Sequence, residues 1–123
     1  MSGSISLETL QTESSLYLTR VNKKMNNKLC EDYYNEACRY EKLLRELYSA
    51  SGMLGVRSEL KRQIDTNVLE IISLSLKSTP QDKSGETVLV CIEAELIDRG
   101  IMQVKDTSLY FKNYFPKYFT PFN

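Results

Sequence analysis

The chain contains no histidine and no tryptophan in 123 residues. Without histidine it lacks the side chain that titrates closest to neutral pH, the commonest general base and the commonest neutral metal ligand. Asp, Glu, Lys, Tyr and Cys could still support catalysis, but no arrangement of them forms a catalytic motif, and the chain reads as a non-enzyme. Cysteine is scarce and odd in number: Cys30, Cys38 and Cys91. They form neither a disulfide framework nor a CxxC metal-ligand spacing, which suits a reducing compartment and buried structural thiols. No cofactor or metal is expected. An excess of charge is missing too. Sixteen basic residues balance sixteen acidic ones, so no global field draws the protein to nucleic acid or to an anionic membrane. No apolar run approaches the roughly 18 residues of a membrane span, and no membrane association is expected. The opening MSGSISLETLQTESSLYLTR has neither a signal-peptide nor a transit-peptide pattern, and Ser2 stands where myristoylation needs glycine. Nucleus or cytoplasm is the expected location.

What is present is an average soluble composition, 41% apolar and 26% charged, enough for one domain with one core. The first division falls at residue 14: 1–14 reads as a flexible N-terminal segment and 15–123 as a single α-rich domain. All four phenylalanines lie at the C-terminal end. There Tyr110, Phe111, Tyr114, Phe115, Tyr118, Phe119 and Phe122 recur in pairs about every four residues, with Lys112 and Lys117 between them. Such rings bury on the order of 150–250 Å² each, so something apolar must receive them, either the domain's own core or a partner. Residues 106–123 are therefore read as an aromatic docking segment, and those seven rings as candidate partner-binding residues.

Periodicity predicts a mainly α fold. Leu29, Tyr33, Ala37, Tyr40, Leu44 and Leu47 form one helical stripe, with charged residues on the other face. Glu41 and Arg45 stand at the favourable i, i+4 spacing. Ser49, Ser51 and Gly52 end this helix, Gly52 as the residue just past it. A second helix, starting near Gly55 or Ser58, carries Leu60, Ile64, Val68 and Ile71 inward, flanked by Leu69, Ile72 and Leu76, and stops at Pro80. Two amphipathic helices across a short glycine-containing loop predict an antiparallel hairpin. The run from Ser84 to Gly100 reads as a third helix, with Ser84 as N-cap and Gly100 as its C-terminal stop. A strand over 87–94 is the alternative. Ile101–Val104 and Ser108–Phe111 read as a small β-hairpin, and Pro116 and Pro121 divide the aromatic tail.

Few residues offer chemistry. Arg20, Lys23, Lys24 and Lys28 are four cations with no acid among them, a stripe suited to phosphates and to salt-sensitive nucleic-acid contact. A solvated helix face is the plainer reading. The aromatic tail with its lysines could stack on bases, but a tail cut by two prolines is a poor platform. Asp32 and Glu36 lie on the polar face of the first helix, and Glu93 and Glu95 point in different directions on a helix, so neither pair is a catalytic dyad. The stretch SGMLG between Ser51 and Gly55 lacks the lysine of a phosphate loop.

The segments LCEDYYNEACRYEKLLREL (29–47) and SELKRQIDTNVLEIISLSLKS (58–78) resemble the helical domain of GINS-complex subunits, small non-enzymatic parts of the replicative DNA helicase. The resemblance covers about 50 residues and implies a scaffold subunit of a multiprotein machine. Only 38 residues follow Gly85, where that family carries a small β domain. The expected function is a protein–protein interaction subunit with other protein subunits as partners, in an assembly concerned with DNA replication or chromosomes. The alternative is a small nucleic-acid-binding module using the 20–28 cluster and the aromatic tail. Near-neutral charge disfavours it.

Overall fold

A computed structural model describes residues 31–62 and 64–119. The expectations for residues 1–14, for the basic cluster Arg20, Lys23, Lys24 and Lys28, and for Phe122 lie outside the described residues. Among the described residues four helices follow one another: α1 (Glu31–Leu60), α2 (Thr66–Lys77), α3 (Lys83–Asp98) and a short α4 (Phe111–Tyr114). Single 3-10 turns occupy Val104–Asp106 and Pro116–Phe119.

α1 is two helices meeting at Gly52, whose φ of 69° and ψ of −164° break the helical path. Only glycine occupies that region readily, because a Cβ would collide with its own backbone. The break folds the chain back on itself. Tyr40 Oη donates to Glu59 Oε2 at 3.2 Å, whereas nineteen residues of unbroken helix would separate them by about 28 Å. A Cβ at Gly55 would lie 3.7 Å from Leu47 O and 2.5 Å from Ser51 Cβ, so the close approach depends on glycine there as well. The chain thus folds back at Gly52, where the turn of the hairpin was expected.

Its second arm differs from the expectation of one helix running to residue 78. The arm 53–60 ends in a turn at Lys61 and Arg62, and Asp65 opens α2 by accepting from Asn67 N–H at 2.8 Å. The Asp65-Thr66-Asn67 sequence gives the backbone a side-chain acceptor that an uninterrupted helix would leave unused, so a fresh N-terminus wins. The inward stripe of the first arm is also rotated by about one residue. Tyr34, Ala37, Cys38 and Leu44 are buried, while Tyr33, Tyr40 and Leu47 are half-buried. In α2 the inward Val68 and Ile71 are buried as expected, and the flanking Leu69, Ile72 and Leu76 are buried too, whereas Ile64, expected inside, is half-buried ahead of the helix.

α3 is the centre of the molecule. Every residue from Thr87 to Leu96 is buried, the pattern of a helix covered on all sides. α1, α2 and α4 all pack against it. The expected helix over 84–100 is therefore present and the alternative strand is not, although the N-cap is Asp82 rather than Ser84. Asp82 accepts from Gly85 N–H at 2.8 Å, and this bond, with smaller help from Arg45, holds its carboxyl below the usual range. At the other end Gly100, with φ of 76°, closes the helix. Gly100 N–H donates to Ile97 O and Ile101 N–H to Leu96 O, both at 2.9 Å, the paired bonds of a Schellman stop.

Arg99 ties three elements together. It donates to Glu95 Oε2 at 2.9 Å, Ile64 O at 2.7 Å, Thr66 Oγ1 at 3.0 Å and Leu60 O at 3.2 Å. The end of α3 is thereby fastened to the α1–α2 junction. The link 78–82 joins the opposite ends of α2 and α3, so these two helices run antiparallel.

The expected β-hairpin over 101–111 is not formed, and no strand occurs among the described residues. Two short strands with no third to pair against are marginal in water, and here each half of the segment has a better use. Val104–Asp106 makes a 3-10 turn closed by Thr107 Oγ1 donating to Val104 O at 2.7 Å. Phe111 and Phe115, four apart, match a helical turn that puts both rings on one face. Phe115 N–H donates to Phe111 O at 2.9 Å, and Pro116 ends the turn.

Candidate docking surface

The aromatic tail closes over α3. Phe111 and Phe115 are buried in a cluster with Val90 and Ala94 of α3, joined by Met53 and Ile97. The ring centroids lie 5.0 Å apart for Phe111 and Phe115, 5.3 Å for Phe111 and Tyr118, and 5.9 Å for Phe115 and Tyr118. These tilted and edge-on arrangements let the positive edge of one ring meet the negative face of another. Arg57 stands 5.3 Å over the Phe115 ring and extends the cluster to α1. Two tyrosines carry polar latches: Tyr110 Oη accepts from Gln81 N–H at 3.1 Å, and Tyr114 Oη donates to Glu86 Oε1 at 3.0 Å.

Of the seven predicted ring residues, Phe111 and Phe115 are therefore committed to the protein's own core, and Tyr110, Tyr114 and Tyr118 are half-buried against it. Phe119 keeps 40% of its surface exposed, with Lys112 over its ring at 5.6 Å.

One anchor of this tail was discounted in the sequence. Glu93 is fully buried, yet its carboxylate accepts from Ser108 N–H at 2.6 Å and Ser108 Oγ at 2.9 Å. Lys77 Nζ stands 3.6 Å away and donates to Asp106 O at 3.0 Å. Burial raises the Glu93 pKa, and the Ser108 bonds and Lys77 oppose that rise. A buried carboxylate is tolerated only with such partners, and these partners all hold residues 106–108 to the bundle. The readable signal was an acid inside the apolar run Val88–Leu96, which a buried helix would not carry without something to bind. Glu95, on another face, serves Arg99 instead.

Other sequence candidates fall into solvent or core. Asp32 and Glu36 are exposed. Cys38 and Cys91 are buried, and burial pushes the Cys91 thiol up to about 12, which leaves it un-ionised and inert near neutral pH. Among the described residues no group of three potential ligands could hold a metal ion, and no helix is long and apolar enough to cross a membrane. The first arm's Arg45 pairs with Glu41 at 3.1 Å as expected, and also reaches Asp82 at 3.3 Å.

Outside the closed tail lies a different surface. Leu109 is 95% exposed, next in sequence to the Ser108 anchor, and Ile101 is half exposed. A pocket of about 470 Å³ opens beside Leu109, lined also by Lys77, Thr79, Pro80, Thr107 and Tyr110 among others. The cations Lys105, Lys112 and Lys117 are exposed, and Asp106 is the single acid between Gly100 and the end of the sequence. Leu109 was not singled out in the sequence because it sits beside the phenylalanines and shares their hydrophobicity. Only the fixed geometry of its neighbours turns it outward.

Comparison of the chain with protein-family models, with curated proteins and with solved structures finds no match.

Proposed function

We propose that this chain is a non-enzymatic subunit that binds other protein subunits within a larger assembly. The observation that carries the reading is the C-terminal segment. It is pinned to α3 by Phe111, Phe115 and Glu93, and it presents Leu109, Phe119 and Ile101 to solvent. An isolated exposed leucine is ordinary. A segment anchored at Ser108, Phe111 and Phe115 that leaves three large apolar side chains exposed, Leu109 beside a pocket, is a surface on which a partner gains from burial. Residues 29–47 and 58–78 resemble GINS-complex subunits, which supports an assembly concerned with DNA replication or chromosomes, in the nucleus or cytoplasm.

The nucleic-acid reading is weaker, because Phe111 and Phe115 are buried and are not free to stack on bases. Titration of the full chain with single- and double-stranded oligonucleotides near 150 mM salt, where four phosphate contacts would hold only weakly, separates the two. The interaction reading expects no sub-micromolar binding there. It expects the native protein to purify in a stoichiometric complex larger than one chain. A strictly monomeric native protein that binds oligonucleotides tightly would overturn it.

A further inference from the structure

We infer that residues 103–109 form a strap that detaches from the folded bundle as a unit, and that the proton on the buried Glu93 sets how readily it opens. None of these residues is buried. Their backbone-to-backbone bonds are local: Asp106 N–H donates to Gln103 O at 2.9 Å, Thr107 N–H to Val104 O at 3.2 Å and Phe111 N–H to Ser108 O at 3.2 Å. The bonds that reach the bundle run from Ser108 to both oxygens of Glu93 and from Lys77 to Asp106 O. On either side the chain is fastened independently. Ile101 and Met102 N–H both donate to Leu96 O, Tyr110 is latched to Gln81, and Phe111 is buried. A loop held by polar contacts between two fixed points opens at a lower free energy than the whole domain unfolds.

The closed strap places Ser108 over the Glu93 carboxyl, which has no exposed surface. A neutral carboxyl enters such a site at far lower cost than a charged one, and it can still accept from Ser108 N–H while donating to Ser108 Oγ. The charged groups around it are few. Among the described residues Lys77 of α2, at 3.6 Å, is its one ion-pair partner, and α1 and α4 contribute none. On α3 itself Leu89, Val90, Leu96 and Ile97 stand one turn away, and the strap's own Lys105 and Asp106 are exposed. Burial outweighs Lys77 and the Ser108 bonds, so the closed state holds the proton more tightly than an open state in which water reaches the carboxyl. Opening is therefore hardest below about pH 4.5, the ordinary value, and becomes easier as pH rises to the folded value. The open strap also withdraws Thr107, Ser108 and Leu109 from the wall of the neighbouring pocket.

The test is amide hydrogen exchange of the full chain, read by nuclear magnetic resonance from about pH 5 to about pH 9, each rate divided by that of an unstructured chain at the same pH. The amides of Asp106, Thr107 and Ser108 should be at least about a hundredfold less protected than those of Leu89 to Leu96 at every pH, because the strap opens while α3 stays folded. Their protection should fall by up to about tenfold per pH unit and level off above the folded value of Glu93. Glu93→Gln keeps the shape and hydrogen bonds of the neutral acid, and its protection should not change with pH. Lys77→Met removes the cation that favours the charged form, so the levelling should move to higher pH. Strap amides that exchange together with those of α3 would show one cooperative unit and overturn the inference. So would protection that rises with pH, a pH dependence that survives Glu93→Gln, or a Lys77→Met curve that levels where the parent does.

Discussion

Replacing Phe111 by Ala tests whether the C-terminal aromatics belong to the core. Phe111 has no exposed surface and shares a cluster with Phe115, Tyr118, Val90 and Ala94. Removing its ring forfeits the transfer energy of the ring and leaves a cavity against α3, which cannot collapse because every residue from Thr87 to Leu96 is already packed. Phe→Ala changes at such sites cost about 3–5 kcal/mol, a large part of the roughly 5–15 kcal/mol that holds a typical domain together. The paired measurement is Phe119→Ala. That ring is 40% exposed and meets Phe111 only edge-on at 6.3 Å, so its loss should cost less than about 1 kcal/mol. Urea unfolding followed by far-ultraviolet circular dichroism measures both, and the melting temperature of the Phe111 variant should fall by more than about 10 °C. Truncation after Asp106 removes the whole cluster and should leave no cooperatively folded protein. If both single variants cost under about 1 kcal/mol, or the truncated chain melts like the parent, the tail is not part of the core and the argument fails.

Gly52→Ala should destabilise by about 1–3 kcal/mol in the same assay, because φ of 69° with ψ of −164° is glycine territory. No atom lies within 4 Å of the new Cβ, so a cost near zero would mean that the fold-back is not at this residue. Arg99→Ala strands the buried Glu95 carboxylate and unfastens α3 from the α1–α2 junction, an expected loss of about 3–5 kcal/mol. Arg99→Lys, which lacks the fork, should recover only part of it. The pH dependence of stability should carry the sign of Glu93. Its pKa is raised on folding from an ordinary value of 4.5, so the folded state holds that proton more tightly. Stability from this group is full below about pH 4.5 and is lost as pH rises through the folded value. Asp82, lowered from 3.8, acts oppositely, and its contribution is lost as pH falls below that range. Subtracting the stability–pH curve of Glu93→Gln from that of the parent should isolate the first effect, and a flat difference would refute it.

The helical class was readable before any coordinates, because period 3.6 in the apolar positions survives any detail of packing. The same holds for the fold-back at Gly52 and Gly55 and for the stop at Gly100, where backbone conformations that exclude a Cβ leave glycine as the residue that fits. Helix α3 was readable only as the better of two options, since Val88, Leu89, Val90, Cys91 and Ile92 suit a buried strand as well as a buried helix. Its flanking signals decided in the right direction, with the cap displaced to Asp82.

Other features depend on contacts between residues distant in the chain. The turn after Leu60 is held by Arg99, thirty-five residues beyond Ile64, and nothing local announces that partner. The β-hairpin expectation failed for the same reason. Residues 101–111 have a strand-like composition, but their backbone bonds are claimed by Glu93 and by a helical turn whose rings bury against Val90 and Ala94.

The aromatic density of the tail dictated that something must cover it. Which rings face inward was decided by where α3 presents small and apolar side chains. Phe111 and Phe115 fit there, and Leu109, fixed between the Ser108 anchor and the Tyr110 latch, is left facing solvent. Sequence determines the hydrophobic inventory and its period. The tertiary structure determines which part of that inventory is spent on the core and which remains at the surface, because burial is a property of position relative to neighbours and not of the residue itself.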